Sequence, residues 1–361
     1  MNQSLTVSSL LTDMVNMGAS DLHLAVGVPP SVRIEGELKI LDAMGKLTEM
    51  QVSNIIFSCA TPAQKDLFNI NRDLDFSYTL SEKARFRVNA YWQKSTPAAS
   101  FRKIPFEVPD LASLNLPANI IKELCNLPQG LVLITGPSGQ GKSTTLAAMI
   151  NYINNSRSSH IITIEDPIEY IFTDNKSTIH QRELHTDTFS WEVALRSALR
   201  QDPNVVLIGE MRDLETISSA ITIAETGHLV LATLHTNSAS QTVDRIIDVF
   251  PESQQNQVRV QLSLILEGVI SQRLVPGIHK GRFPACEILL TTPALQNLIR
   301  EGKTHQIDNI IVTSQDIGMK TLEMSLADLV FAGKITVEEA KKHSMKPADL
   351  ARLVSKKYAD I

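Results

Sequence analysis

Cysteine is scarce in this 361-residue sequence, and the three present, Cys59, Cys125 and Cys286, stand far apart. No C-x-x-C pair occurs, so neither a zinc site nor a disulfide framework is suggested. Free or buried thiols in a reducing compartment are the expectation. No apolar run approaches the ~20 residues that a membrane-spanning helix needs. The opening Met1-Asn2-Gln3-Ser4-Leu5 lacks the basic start and apolar core of a secretory signal. We therefore expect a cytosolic chain with no direct membrane insertion. An excess of basic residues is also missing: 34 Lys and Arg face 39 Asp and Glu, for a net charge of -5. That balance speaks against a nucleic-acid partner, which calls for a positive face. Long repeats and low-complexity tracts are absent. What remains is the composition of a soluble globular protein, 43% apolar and 20% charged, long enough for two domains.

One stretch organises the rest. Gly136-Pro137-Ser138-Gly139-Gln140-Gly141-Lys142-Ser143-Thr144 reads G-x-x-x-x-G-K-S, the full phosphate-binding loop pattern. An apolar strand-like run over 131–135 precedes it and a helical run over 143–154 follows. Glycine lets the backbone turn its N–H groups toward a phosphate, and the helix start adds its positive dipole end. Lys142 is placed for the terminal phosphates of ATP and Ser143 for Mg²⁺. The bland alternative is a glycine-rich turn that binds nothing.

Alternation then continues, with strands expected over 160–165, 204–209 and 229–234 and helices over 189–201 and 213–226. This pattern argues an α/β domain with a largely parallel sheet, whose ligands sit at the carboxyl ends of strands. The acids there are Glu165, Asp166 and Glu169 after one strand and Glu210 after the next. One could hold Mg²⁺ through water and one could orient or deprotonate an attacking water. A solvated acidic turn is the alternative for the first group. The run Val205 to Ile208 ending in Gly209-Glu210 is a Walker B pattern with Glu for the commoner Asp. His235 lies just past the last strand, where a γ-phosphate would be, and is read as a phosphate sensor. His228 and His235 could instead be structural or metal ligands, but no Cys or third His lies near. Arg196 and Arg200 stand at i, i+4 on the helix opened by Asp187-Thr188-Phe189-Ser190, and the bland reading is a solvated basic face.

Residues 1–100 mix helical and alternating segments, with Ser20-Asp21-Leu22-His23-Leu24 the clearest strand, and read as a small α+β domain. Pro97, Pro105, Pro109 and Pro117 mark the best linker, assigned to 101–118. The core is taken as 119–290. Beyond 250 the chain reads as mostly helical, with Gln257–Leu274 and Val337–Lys357 the clearest pieces. Pro293–Arg300 is a shorter piece, and 291–361 is taken as a C-terminal helical region.

These ordered motifs resemble the type IV pilus retraction ATPases of the secretion ATPase superfamily, the PilT type. The likeness spans nearly the whole chain. Ile164–Tyr170 looks like that family's Asp box, Leu207–Asp213 its Walker B box and Thr226–Ser238 its His box. Ala294–Glu301 is similar to its A-I-R-N-L-I-R-E retraction signature, with Leu295 and Gln296 for Ile and Arg. Ser138 and Gln140 stand where Thr and Ser are usual in the loop. The resemblance implies a P-loop, RecA-like ATPase domain with a smaller PAS-like N-terminal domain and a C-terminal helical portion. It implies a homohexamer with ATP between subunits. Arg87 and Arg102 match trans-acting arginine fingers, and Arg245 matches a position near the nucleotide. Glu169 looks like the catalytic base and Glu210 like the Mg²⁺-organising acid; the sequence leaves the reverse open. Implied partners are an inner-membrane pilus platform protein and a second retraction ATPase, at the inner face of the cytoplasmic membrane. An accessory retraction ATPase, a secretion or pilus assembly ATPase and, from another class, a nucleic-acid translocase are the alternatives.

Overall fold

The computed structural model describes residues 5–34, 36–80, 84–104, 107–279 and 281–359. They divide into two units, Met1–Glu107 with Pro167–Ile171, and Val108–Asp166 with Phe172–Ile361.

The first unit opens with α1 (Val7–Asn16), followed by β1 (Asp21–Ala25), β2 (Ser31–Ile34) and β3 (Glu37–Ile40). Then come α2 (Glu49–Cys59), α3 (Pro62–Asn71), β4 (Asp73–Leu80), β5 (Ala84–Gln93) and β6 (Thr96–Ile104). All six strands join one antiparallel sheet in the order β3-β2-β1-β6-β5-β4. Threonine starts each helix: Thr6, Thr48 and Thr61 each accept the amide of the third helical residue in a capping box. The break between α2 and α3 follows from that cap and from Pro62, which suits the first position of a helix but not its interior. Strict alternation builds the sheet. Ala84, Phe86, Val88 and Ala90 of β5 are fully buried and join Phe101, Leu22 and Phe76 in the core. Arg85, Arg87 and Asn89 take the other face. Each large apolar side chain so buried contributes about 1.5–3 kcal/mol.

Two expectations are corrected here. Phe101–Ile104, assigned to the linker, complete β6 instead, paired with both β1 and β5. Pro97 also lies in that strand. Pairing with β1 starts only at Ala98, so the missing N–H interrupts no ladder on that side. Pro105 lies outside the described residues. Pro109 and Pro117 do fall in irregular backbone around a short 3₁₀ turn at Leu111–Leu114. Second, Pro167–Ile171 groups with the first unit rather than with the core to which it was assigned.

The second unit runs α4 (Ala118–Cys125), β7 (Gly130–Thr135), α5 (Lys142–Ser156), β8 (His160–Glu165), β9 (Thr178–Glu183) and α6 (Trp191–Ala198). It continues with β10 (Val205–Ile208), α7 (Leu214–Glu225), β11 (Leu229–Leu234), α8 (Ala239–Asp248) and α9 (Glu252–Ile265). Next are β12 (Leu266–Pro276), β13 (Arg282–Leu290), α10 (Pro293–Arg300), α11 (Ile307–Thr313), α12 (Leu322–Phe331), α13 (Val337–His343) and α14 (Pro347–Ala359). Seven strands make a mixed sheet, β13-β12-β7-β11-β10-β8-β9, parallel except for β12 with β13. Every residue of β7, β10 and β11 is buried, as strands covered on both faces require.

The C-terminal reading needs correction. The helix expected over Gln257–Leu274 stops at Ile265, and Leu266–Pro276 is strand. The segment Gly268-Val269-Ile270-Ser271, with β-branched Val269 and Ile270 at its centre, pairs with Val132–Thr135, after an irregular register between Leu266 and Gly268. Residues 282–290, also read among helices, form β13. The single helix expected over Val337–Lys357 is two, because Pro347 begins α14 and Ser344 leaves α13 in extended backbone. Strand β9 went unread; its exposed positions break the apolar run that marks its neighbours. Helix α6 ends at Ala198, so Arg200 stands beyond it.

Candidate active site

Parallel pairing puts the informative residues at one end of the sheet. Thr135 lies opposite Leu234 of β11 and Ser271 of β12. The loop 136–141 follows Thr135, His235 follows Leu234, Glu210 comes two residues after β10, and Glu165 ends β8. His228, by contrast, precedes β11, at the opposite end from His235, and bonds Thr226 Oγ1 (3.1 Å) and the Ile223 carbonyl (3.0 Å). Six strand residues separate the two histidines, roughly 20 Å, so they share no metal.

The loop is held open by glycine. Gly136, Gly139 and Gly141 have φ of 139°, 75° and 83°, and Gly141 caps α5 in the left-handed region. A Cβ on Gly136 would lie 2.3 Å from the Gln272 carbonyl oxygen. Lys142, the first residue of α5, is buried and donates to the carbonyls of Gly136 (2.7 Å) and Pro137 (3.0 Å). Its Nζ is also 3.5 Å from His235 Nδ1. Ser138 and Gly139 are exposed at the loop's crest, while Ser143 and Thr144 are half-buried in the first turn of α5.

Glu210 is the hub of the next layer. Its Oε2 is 3.3 Å from His235 Nε2, and its Oε1 pairs with the Arg212 guanidinium. That bond raises Arg212 above the ordinary arginine range, against the smaller effect of burial. Asp213 caps α7 through the Thr216 amide, which holds its carboxyl below the usual range. Glu165 accepts from Thr163 Oγ1 (2.7 Å) and Gln181 Nε2 (3.4 Å). Arg245, exposed on the last turn of α8, donates to the Arg212 carbonyl at 3.5 Å. Glu169 belongs to the segment that groups with the first unit, half-buried between buried Ile168 and Tyr170.

Arg87 and Arg102 lie directly opposite each other on β5 and β6. They share a sheet face with Asp21, which faces Arg102, and with Arg33 and Ser77. Arg102 Nε donates to Asp21 Oδ1 at 2.8 Å, and Arg87 Nε is 3.8 Å from Asp75 Oδ1. Arg196 pairs with Glu192 on α6. A cleft of about 390 Å³ between α6 and α7, lined by Leu195, Leu214 and Ile223, contains none of the expected site residues. The cysteines are free, and burial pushes each thiol up to about 12.

The family profile of the type II/IV secretion system proteins matches residues 4–342. The chain belongs to the type II/IV secretion system protein family. It is 46% identical over 341 residues to the type IV pilus retraction ATPase PilT of Pseudomonas aeruginosa, covering 94% of this chain and 98% of that one. To the twitching motility protein of Neisseria gonorrhoeae it is 45% identical over 346 residues, 96% and 92% of the two chains. The crystal structure of the pilus retraction motor PilT with bound ADP superposes with a TM-score of 0.89 at 46% identity, covering 96% of this chain and 99% of that one. The α/β class with a RecA-like ATPase unit and a smaller N-terminal α+β unit is the fold of these secretion-system proteins.

The loop of this family member fits a nucleotide phosphate. Glycine-only backbone, a Lys at its end and the start of a fifteen-residue helix supply amides, charge and dipole. Among the described residues no group of three or more His, Cys, Asp or Glu could hold a metal. A hydroxyl and one or two carboxylates beside a phosphate are the donor set suited to Mg²⁺, and Ser143, Glu210 and Glu165 are residues of that kind. The sequence reading missed the loop's brace. Gln140, which stands where Ser is usual, accepts the Leu274 amide through its side chain (2.7 Å) and the Gln272 side chain through its carbonyl (2.8 Å). Gln272 in turn accepts from Thr145 Oγ1 at 2.8 Å. Only the pairing of β12 with β7 brings these together, and that strand had been read as helix. Arg212 was also missed, although its place two residues past the acid of the Walker B pattern was a usable signal.

Proposed function

We propose that the chain is a Mg²⁺-dependent ATPase that works as a ring of six copies to retract type IV pili. The observation that carries this is the linked series Lys142, His235 and Glu210 behind a complete phosphate loop, in a chain alike over nearly its full length to a pilus retraction ATPase. Gly136, Ser138, Gly139, Gln140, Gly141, Lys142, Ser143 and Thr144 bind the ATP phosphates through backbone amides, the ammonium and hydroxyls. Ser143, Glu210 and Glu165 would hold Mg²⁺. Bound Mg²⁺ supplies neutralisation of phosphate charge. Glu169 takes the proton of the attacking water, His235 senses the γ-phosphate, and Arg245 lies near the nucleotide. Arg87 and Arg102 act on the nucleotide of a neighbouring subunit. The ring docks at the cytoplasmic face of the inner membrane on the pilus platform protein, beside a second retraction ATPase. No helix among the described residues is long and apolar enough to cross a membrane.

Coupling to the pilus is assigned to α10. Leu295 and Ile299 anchor it in the core, while Arg300 and Glu301 are exposed and, among the described residues, their side chains bond only the near neighbours Asn297 and Lys303. Surface changes of this kind shift stability by about 0.5 kcal/mol or less. Replacing Arg300 and Glu301 by Ala is therefore expected to leave purified ATPase intact while cells keep surface pili and fail to retract them. Normal retraction, or equal loss of ATPase and retraction, overturns the assignment.

A further inference from the structure

The motif Ser20-Asp21-Leu22-His23-Leu24 has no part in the chemistry so far, yet its acid bonds one of the two proposed fingers. Asp21 is buried, which is unusual for an acid, and its carboxylate is fully engaged. Oδ1 accepts from Arg102 Nε at 2.8 Å and Oδ2 accepts from Ser20 Oγ at 2.7 Å. The backbone of Ser20 is itself fixed: its amide donates to the Arg33 carbonyl (2.8 Å) and its carbonyl accepts from the Lys103 amide (2.9 Å). Burial alone would raise the Asp21 carboxyl, but the bonds from Arg102 and Ser20 hold it below the ordinary range. The Arg102 side chain is 73% exposed, and its contact with Asp21 runs through Nε. No bond from its two terminal amino groups is found among the described residues, and they are the pair that forks onto a phosphate.

Like charges directly opposite in a sheet repel, and Arg87 faces Arg102 across β5 and β6. Asp21 on one side and Asp75 on the other answer that repulsion. They also set where each guanidinium stands. An arginine side chain loses rotamer freedom when it is fixed. A buried carboxylate that fixes it beforehand removes this cost from the moment of reaction.

We propose that Asp21, braced by Ser20, is the positioning residue for Arg102, holding Nε so that the terminal amino groups are presented to a phosphate. The proposal rests on the reading of Arg102 as a finger that works in a neighbouring subunit. The full-length chain tests both. Asp21→Asn keeps the shape of Asp21 but weakens its hold on the guanidinium. It is expected to lower kcat by about 100-fold, as a misplacement near 1 Å does, with KM for ATP unchanged. Asp21→Asn combined with Arg102→Ala should be no slower than Arg102→Ala alone, since both remove one function.

Mixing supplies the control. An Arg102→Ala chain mixed with a Lys142→Ala chain should regain activity, because some interfaces then hold an intact loop and an intact finger. If this mixture stays inactive, the finger reading itself fails and the proposal with it. If it recovers, an Asp21→Asn chain mixed with Lys142→Ala should recover likewise. Full activity of Asp21→Asn alone, additive loss in the double variant, or no recovery in the second mixture while the first recovers, each overturns the positioning role. The last outcome would place Asp21 in the folding of its own subunit.

Discussion

His235 Nδ1 lies 3.5 Å from Lys142 Nζ, and the other nitrogen of the same ring lies 3.3 Å from Glu210 Oε2. An ammonium has only donors and a carboxylate only acceptors, so the contact set fixes the ring. Nδ1 carries the lone pair toward Lys142, and Nε2 carries the proton toward Glu210. One imidazole thus ties the end of the phosphate loop to the acid that follows β10. The same ammonium is folded onto the carbonyls of Gly136 and Pro137.

Lys142→Ala removes the one cation of the loop. Charge-assisted bonds contribute about 1.5–3 kcal/mol each, so ATP affinity should fall roughly 10- to 100-fold, with turnover lost. Calorimetric titration with ATP beside phosphate release checks this. Undiminished binding would mean that the loop does not hold nucleotide through Lys142.

Glu210→Gln and Glu169→Gln separate binding from chemistry. Each variant should retain ATP affinity and turn over at least about 100-fold more slowly, the low end for loss of a general base. Glu210→Gln additionally loses the charge that holds Arg212. If both variants hydrolyse ATP at the parent rate, the acids are misassigned.

Gln272→Ala tests the brace between β12 and the loop. The variant leaves Thr145 Oγ1 and the Gln140 carbonyl without their Gln272 contacts in a buried setting. Such a loss costs roughly 1–3 kcal/mol. A lower melting temperature together with weaker ATP binding is expected, although Gln272 belongs to none of the loop's motif positions. Unchanged values for both would show that the loop keeps its shape unaided.

Glu287 should mark the pH dependence of stability. Burial pushes its carboxyl up to about 7 from 4.5; the Ala239 amide, 2.7 Å away, pulls the other way, and Asp308 and Glu323 add to the rise. Between about pH 4.5 and 7 the folded chain keeps a proton that the unfolded chain has released, so stability falls as pH rises through this window. Glu287→Gln retains an acceptor for Ala239 and cannot ionise. Relative to the parent it should gain on the order of 3 kcal/mol from the low to the high end. Denaturant unfolding at several pH values reads this directly, and a variant-to-parent difference that does not move with pH would contradict it.

Much of this molecule was legible in its sequence, for identifiable physical reasons. The phosphate loop is a local device: its glycines, its Lys and the helix it starts are contiguous, so spacing alone specified Gly136 to Thr144. The largely apolar runs of β7, β10 and β11 announced strands of an α/β sheet. Long-range pairing decided the rest. Gly268–Leu274 has enough apolar residues at mixed spacing to pass for a continuation of α9, and only a free edge of β7 makes it a strand. Gln140 and Gln272 are 132 residues apart in the chain, so no local pattern could join them as the loop's brace. Asp21 and Arg102 are likewise 81 residues apart. Their ion pair depends on β1 lying against β6, a choice of neighbour that residue spacing does not encode.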